Sequence, residues 1–597
     1  MAKNKAAPKS PLKLVHTKRQ RCEILFATLE AERSTHRTYW RDLLDYVNPQ
    51  RGRFTVTDSG KGTRKNQKII NSRASDDLTI LKAGMMATIT NPTTQWVRLT
   101  VEDKEIAENG EAKAWLGDTS KIINDIILKS NTYRNLPIVY GDMATVAIGA
   151  LLVEEDFDDV IRTYPIPIGS YMVAVDDKGR VNTYAREFRY TVQEVVMKFG
   201  IPNGEPFVLE NINWDNISSK VKDLWERSEH LAWVDVVHMV MPNMDYNPDK
   251  LDAKYKRFAS VYYERGSSGT LSARDNRDQA GVSQGLFLRE SGLDMFNILV
   301  PRWETTGEDA YGTNCPAMKC HGDSRSTQTM EKRKSQAHEL QVNPAMIFPV
   351  SMRKKKNSTL AGSRLFADAE TMRGGGIRKA FEFNFDSSGI REDIREAEMR
   401  IDAAFHRDAF APISGQPIQG TPPSAAEVNA RLSESRLKLL GANQNIQDDL
   451  LEPFVDLVFF HANNQGKIPE PPKILEEMEL KVEFIGVMAQ AQKAIALGSL
   501  REFTDYALML ASVEPSAMDK IDTDQLLDEY HEGAGISTKI IISDEEVLEK
   551  RLEQQQAMQA QQQMEQMQAM AGTAKDLSQA DMSGDNALSA ITEGLAE

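Results

Sequence analysis

Cysteine is nearly absent from this chain: three in 597 residues, Cys22, Cys315 and Cys320. So sparse and odd a set builds no disulfide framework, and a reducing compartment is the default for such a protein. Long apolar runs are lacking as well. No stretch approaches the ~18 uninterrupted apolar residues of a membrane-spanning helix, so no membrane span is expected. Nor is there a cationic excess. Asp and Glu outnumber Lys and Arg by 87 to 72, a formal net charge of −15. High-affinity duplex binding takes many cationic phosphate contacts, which excludes a conventional DNA binder. An acidic wall can still surround DNA without gripping it, because it repels a moving polyanion.

Local signatures of catalysis are missing too. The stretch SGKGT, Ser59 to Thr63, resembles a phosphate loop. However, Thr55 stands where a Walker A loop needs Gly, and Gly62 where it needs Ser or Thr. Gly266-Ser267-Ser268-Gly269 is not a nucleophile elbow, because Thr270 follows Ser268-Gly269 where that motif ends on Gly. His338-Glu339 has Val342 in the place of the second His of a zinc-protease helix.

The most chemical stretch is GEDAYGTNCPAMKCHGD, Gly307 to Asp323. Cys315, Cys320 and His321 offer three soft ligands, whereas a structural zinc site usually needs four and a second ligand pair elsewhere. A Cys–His nucleophile needs spatial adjacency, which sequence spacing does not supply. The simpler reading is a glycine-broken bend in which cysteine acts as a small apolar filler, with Asp323-Ser324 capping the helix that follows.

The rest of the chain is patterned. Residues Leu14 to Val47 read as a helix through Leu25, Leu29, Trp40, Leu43, Leu44 and Val47, stopped by Asn48-Pro49. Further helices are expected over Asp76–Ile89, Ala112–Ser130 and Asn135–Ala150. Strands then appear: YMVAV and RVNTYAREF flank Asp176-Asp177-Lys178-Gly179, a hairpin signal. Others are expected at Trp233–Met241, Ser260–Glu264 and Met295–Leu299, with short helices around Val192–Phe199 and Ile217–Arg227. After Asp323 the pattern turns helical. Ser324–Val342 is one helix; another starts at Ser387 or Ser388 with the stripe Ile390, Ile394, Ala397, Ile401, Phe405. Between them lies an insert holding the basic run Arg353, Lys354, Lys355, Lys356, either a solvated loop tip or a contact for nucleic acid or an acidic partner. The loop ISGQPIQGTPP precedes a capping box, Ser424 with Glu427, that opens the next helix. Ile446–His461 is helical with a kink at Pro453. Val482–Leu510 and Asp544–Ala571 are also expected helices. The latter has nine glutamines between Gln554 and Gln568 and a heptad-like stripe, Ala560, Met564, Met567, Ala571. The fold class is therefore α+β, predominantly helical.

Five segments carry a family resemblance: WRDLLDYVNPQRGRF (Trp40–Phe54), LKAGMMATITNPTTQWVRLT (Leu81–Thr100), PRWETTGEDAYGTNCPAM (Pro301–Met318), SAAEVNARLSE with LLEPFVDLVF (Ser424–Phe459), and AQAQKAIALGSL (Ala489–Leu500). In their order and spacing the chain resembles phage portal proteins of the head-to-tail connecting family of short-tailed phages. The resemblance implies a non-enzymatic ring of about twelve copies at one capsid vertex, without cofactors or metals. It implies a disordered basic arm over 1–20, a wing over 21–322, stem helices over 323–343 and 387–411, and a clip over 344–386 with Arg353–Lys356 as contact. The loop 412–423 becomes a tunnel loop presenting Ser414, Gly415, Gln416, Pro417, Gln419 and Gly420 to the channel. Residues 424–510 return as a kinked helix to wing and crown, 511–571 form a crown with a possible barrel helix, and 572–597 a disordered tail. Implied partners are double-stranded DNA in the channel, a terminase, a tail adaptor, and the major capsid and scaffold proteins. The implied setting is the virion, assembled in the host cytoplasm. The alternatives are another ring-forming virion part, such as a tail adaptor, or a nuclease or motor subunit.

Overall fold

A computed structural model describes residues 18–58, 64–103, 109–201, 211–265, 287–344, 386–410, 444–475, 480–484, 503–510 and 550–561, with isolated positions between and beyond them. The chain divides into two units: residues 1–99, 118–470 and 482–491 form the first, and 100–117, 471–481 and 492–597 the second.

The first unit is layered around a five-stranded antiparallel sheet. Its strands are β1 (Tyr171–Val175), β2 (Val181–Thr191), β3 (Trp233–Pro242), β4 (Phe258–Glu264) and β5 (Arg289–Leu293), in that spatial order. Side chains alternate between faces along each strand. Val237, Met239, Val261 and Tyr263 on one face bury against Cys22, Phe26 and Leu29 of helix α1 (Lys18–Val47). The helix stripe is therefore Cys22–Phe26–Leu29, with Leu25 at its margin. Val234, Val236 and Tyr262 on the other face pack against Val192, Val195, Val196 and Val221. These belong to two short helices, α2 (Val192–Phe199) and α3 (Ser219–Glu226). Thr191 and Glu194 form a reciprocal capping box at the start of α2. The β1–β2 hairpin forms as its turn residues predict, with Asp176 N donating to Arg180 O at 2.8 Å and Gly179 at φ +75°.

A second sheet contains two strands that were not anticipated from the sequence, beside the expected Met295–Leu299 segment, of which Ile298–Leu299 is a strand. Strand β6 (Leu151–Asp156) pairs with β7 (Val160–Pro165) and, on its other edge, with β8 (Ile298–Leu299). Its turn has no glycine. Asp156 Oδ1 accepts from Asp158 N at 2.9 Å, Asp156 Oδ2 accepts from Arg162 Nε at 2.8 Å, and Val160 takes φ +69°. Side-chain chemistry replaces the usual turn signal. Preceding it, helix α4 (Thr132–Val146) ends four residues short of the expected Ala150, because Ala147 turns left-handed at φ +64°.

The remaining helices that bear on the site are α5 (Arg73–Ile89), α6 (Pro316–Lys319), α7 (His321–Val342), α8 (Ser387–Ala404), α9 (Arg407–Phe410) and α10 (Glu452–Asn464). The helix expected over 387–411 is broken at His406, whose φ is +52°. Pro453 sits in the first turn of α10. A π turn, Gln447–Leu451, precedes it and absorbs the lost donor and the ring clash. Residues 480–484 form a strand, correcting the start of the helix expected from Val482: Leu480, Val482 and Phe484 alternate with Lys481 and Glu483.

In the second unit, residues 503–510 and 550–561 are helical, and 550–561 are exposed throughout.

Candidate functional site: a bend and an anchored helix pair

The segment 301–320 crosses the end of α4 at close range. Trp303 N donates to Ala147 O at 2.9 Å and Gly149 N to Pro301 O at 3.0 Å. A Cβ at Gly312 would lie 2.1 Å from Ala147 O, so only glycine fits there. Arg302, 6% exposed, donates through Nε to Asp449 Oδ2 at 3.1 Å and through Nη2 to Gly179 O at 2.8 Å. Asn445 Nδ2 donates to Trp303 O at 3.0 Å. The bend is thereby tied to the hairpin turn and to the helix carrying Asp449.

Its cysteines are core residues. Burial pushes the Cys315 thiol up to about 12 and the Cys320 thiol up to about 11, so neither is a thiolate at neutral pH. His321 pairs with other residues: its Nε2 lies 3.0 Å from Asp42 Oδ2, and its ring is edge-on to Tyr39. Helix α7 begins at His321, two residues before the expected Asp323-Ser324 cap. Asp323 instead accepts from Arg400 Nε of α8 at 2.9 Å, and Ser324 is buried. Pro316 at the start of α6 already sets the helical direction, leaving no capping role for Ser324.

The Asp323–Arg400 tie joins the start of α7 to the end of α8, so the two helices run antiparallel. Ile394, Ala397, Ile401 and Phe405 are buried, as the sequence stripe predicts; Ile390 is half-buried. Helix α5 anchors this end of the pair. Gln328, 7% exposed, accepts from Ile70 N at 2.6 Å and Asn71 N at 2.7 Å and donates to Asn71 O at 2.8 Å. Asn71 Nδ2 donates to Glu398 Oε1 at 2.7 Å. Arg73 forks onto both oxygens of Asp402, and Arg407 pairs with Asp77. Asp77 is fully buried; desolvation, then the neighbouring Asp402, push its carboxyl up to about 7. Arg73 and Arg407 help hold Asp402 below the ordinary range. Gly84 leaves room for the Phe410 ring, which a Cβ would meet at 2.2 Å.

Beyond the pair, Met346 and Ile347 pair antiparallel with Lys379 and Arg378, so the insert leaves and returns at one place. The basic run Arg353, Lys354, Lys355, Lys356 and the loop residues Ser414, Gly415, Gln416, Pro417, Gln419 and Gly420 lie outside the described residues. Sequence reasoning missed the Asp77–Asp402–Arg73–Arg407 cluster. Its local trace is the i,i+4 spacing of Arg73 and Asp77. A shallow concavity of about 580 Å³ is lined by Asp118, Lys121, Asp125 and Lys467, a mixed-charge surface without a nucleophile–base pair.

The chain matches the family model described as bacteriophage head to tail connecting protein over residues 19–542. It belongs to that family. It is 36% identical over 579 residues to the portal protein of Salmonella phage epsilon15, covering 97% of this chain and 98% of that protein. It is 34% identical over 573 residues to the probable portal protein of Bordetella phage BPP-1, covering 95% and 97%. A chain from the neck of an empty GTA particle is 10% identical with a TM-score of 0.33, covering 77% of this chain and 94% of that one, too distant to carry an argument.

Proposed function

We propose that this chain is a portal subunit: about twelve copies form a ring at one capsid vertex and line the channel through which the genome is packaged and ejected. The observation that carries this reading is the near-full-length match to a protein named portal protein. Residues 21–322 form the wing, α7 and α8 the stem, the insert 344–386 the clip, and 412–423 the tunnel loop. Later residues form the kinked return, the crown and a tail. The protein does no chemistry of its own; a separate terminase motor docks on the ring and hydrolyses ATP, and a tail adaptor docks after packaging.

The mechanism is electrostatic. At −15 per chain a ring of about twelve carries about −180, and an acidic lumen keeps phosphates from adhering. Sparse cationic rings, among them one built from Arg353–Lys356, hold DNA transiently. Gly415, Gly420 and the flanking prolines give the tunnel loop alternative conformations. The reading fits the antiparallel helix pair and an insert whose ends meet. Negative-stain microscopy of the purified full-length protein tests it: rings with a central hole are expected, whereas a stable monomer with ATPase or nuclease activity overturns it.

A further inference from the structure

Resting on the ring reading, we infer that α7 of one copy docks against α8 of a second copy of this chain, through a basic flank on the first and an acidic flank on the second. Helix α7 exposes Arg325, Thr329, Lys332, Gln336 and Leu340 at spacings of 4, 3, 4 and 4, with Arg333 beside Lys332. These positions lie on a flank, about 90° or more round the helix from the centre of the buried Ser324, Thr327 and Gln328. Helix α8 exposes Glu392, Glu396, Met399 and Ala403 at 4, 3 and 4, away from the buried Ile394, Ala397 and Ile401. One flank carries three cations and the other two carboxylates and a methionine. Neither flank is among the buried positions of the pair, and among the described residues no ion pair joins the two flanks within one copy. Among the described residues Arg325, Lys332, Arg333 and Glu392 have no ion-pair partner. Glu396 is paired only with the exposed Arg400, at 2.8 Å, a surface pair of little worth.

The charges also match in height. Taking the Asp323–Arg400 tie as the common level and 1.5 Å of rise per residue, Lys332 lies about 14 Å along α7, level with residue 391 of α8. Glu392 is then within about 3 Å of the height of Lys332 and Arg333, and Glu396 within about 3 Å of that of Arg325. Rotation about a ring axis running along the helices preserves height, so the basic flank of each copy meets the acidic flank of the next at the same level. That is a heterologous contact, the kind that closes into a ring. Glu339 lies on the basic side but level with residue 384, before α8 begins. Arg391 and Arg395 each sit one residue, about 100°, round α8 from the acidic stripe. The exposed Met399 (51%) supplies apolar surface on the acidic flank.

Charge reversal tests this on the full-length chain, with assembly read by mass photometry and folding by circular dichroism. Lys332→Glu with Arg333→Glu makes both flanks acidic, and Glu392→Lys with Glu396→Lys makes both basic. All four side chains are exposed, so each variant should keep its helical signal. Each alone should lose rings under conditions in which the unchanged chain assembles. All four substitutions in one chain, or an equimolar mixture of the two double variants, should restore them. Wild-type assembly by either double variant, or failure of both rescues, overturns the inference. If the unchanged chain itself forms no ring, it is the portal reading that fails.

Discussion

The two ends of the α7–α8 pair are built differently. At the end next to α5, Ser324, Thr327, Gln328, Ile394, Ala397, Ile401 and Phe405 are buried, and Gln328, Arg73, Arg400 and Arg407 tie the helices down. At the other end, Ala337 is the one buried residue between 331 and 342, and none is buried between 386 and 393. The first end is specified by its own chain. The second is held by local i,i+3 pairs such as Glu331–Lys334, at 2.6 Å, which are worth a few tenths of a kcal/mol. A helix pair anchored at one end only is suited to extend from a folded body and complete its packing against neighbours.

The sharpest way to break this contrast is at Phe405, which is fully buried where α8 ends. Phe405→Ala removes the largest apolar group of the anchored end and should cost about 3–5 kcal/mol in urea unfolding at fixed protein concentration. A loss below about 1 kcal/mol would mean that the anchored end is no better packed than the free one.

The next test is the buried carboxyl. Asp77 binds its proton more tightly folded than unfolded, because burial raises it to about 7 from about 3.9 in an unfolded chain. Its contribution is fully present below about pH 4 and is lost as pH rises through about 7. Asp402 moves the opposite way, so its contribution changes below about pH 4 and leaves the window between pH 4 and pH 8 to Asp77. Asp77→Asn, a mimic of the protonated form, removes the first contribution. Measured against wild type, the variant's relative stability should rise by on the order of 4 kcal/mol between pH 4 and pH 8. A flat difference across that range would show that Asp77 is ionised throughout, with Arg407 and Arg73 outweighing burial.

Legibility followed the range of the interactions. The α1 stripe from Leu29 through Trp40, Leu43, Leu44 and Val47, the β1–β2 hairpin and the α8 stripe through Ile394, Ala397 and Ile401 are written in local periodicity and turn residues, and they form where expected; at the start of α1 Cys22 and Phe26 take the place expected of Leu25. The β6–β7 turn was missed because Asp156 and its partners do the work of a glycine. The end of α4 was misplaced because Ala147 serves a partner more than 150 residues away, Trp303 N. The anchor was illegible for the same reason. Nothing near Asp77 indicates that Asp402 and Arg407 will face it, and the i,i+4 arginine alone reads as an ordinary surface pair. The cysteines of the bend were legible by ligand counting: their residue types suggest chemistry, but too few ligands accompany them, and they are buried as packing.

The smallest effect is expected at the free end, and it distinguishes a frayed helix from an interface. Val342 is 85% exposed at the last position of α7. In an isolated subunit Val342→Ser removes no packed contact, so unfolding should change by less than about 0.5 kcal/mol. In a ring the same side chain gains apolar neighbours if the free end is completed by the next copy, and the substitution should then raise the concentration needed for assembly, read by mass photometry across a dilution series. If dilution leaves the variant indistinguishable from wild type, the contact between copies is confined to residues below Val342, and the charged positions around Lys332 carry it alone. If subunit stability itself falls by more than about 1 kcal/mol, the free end is already packed within one chain and the contrast between the two ends disappears.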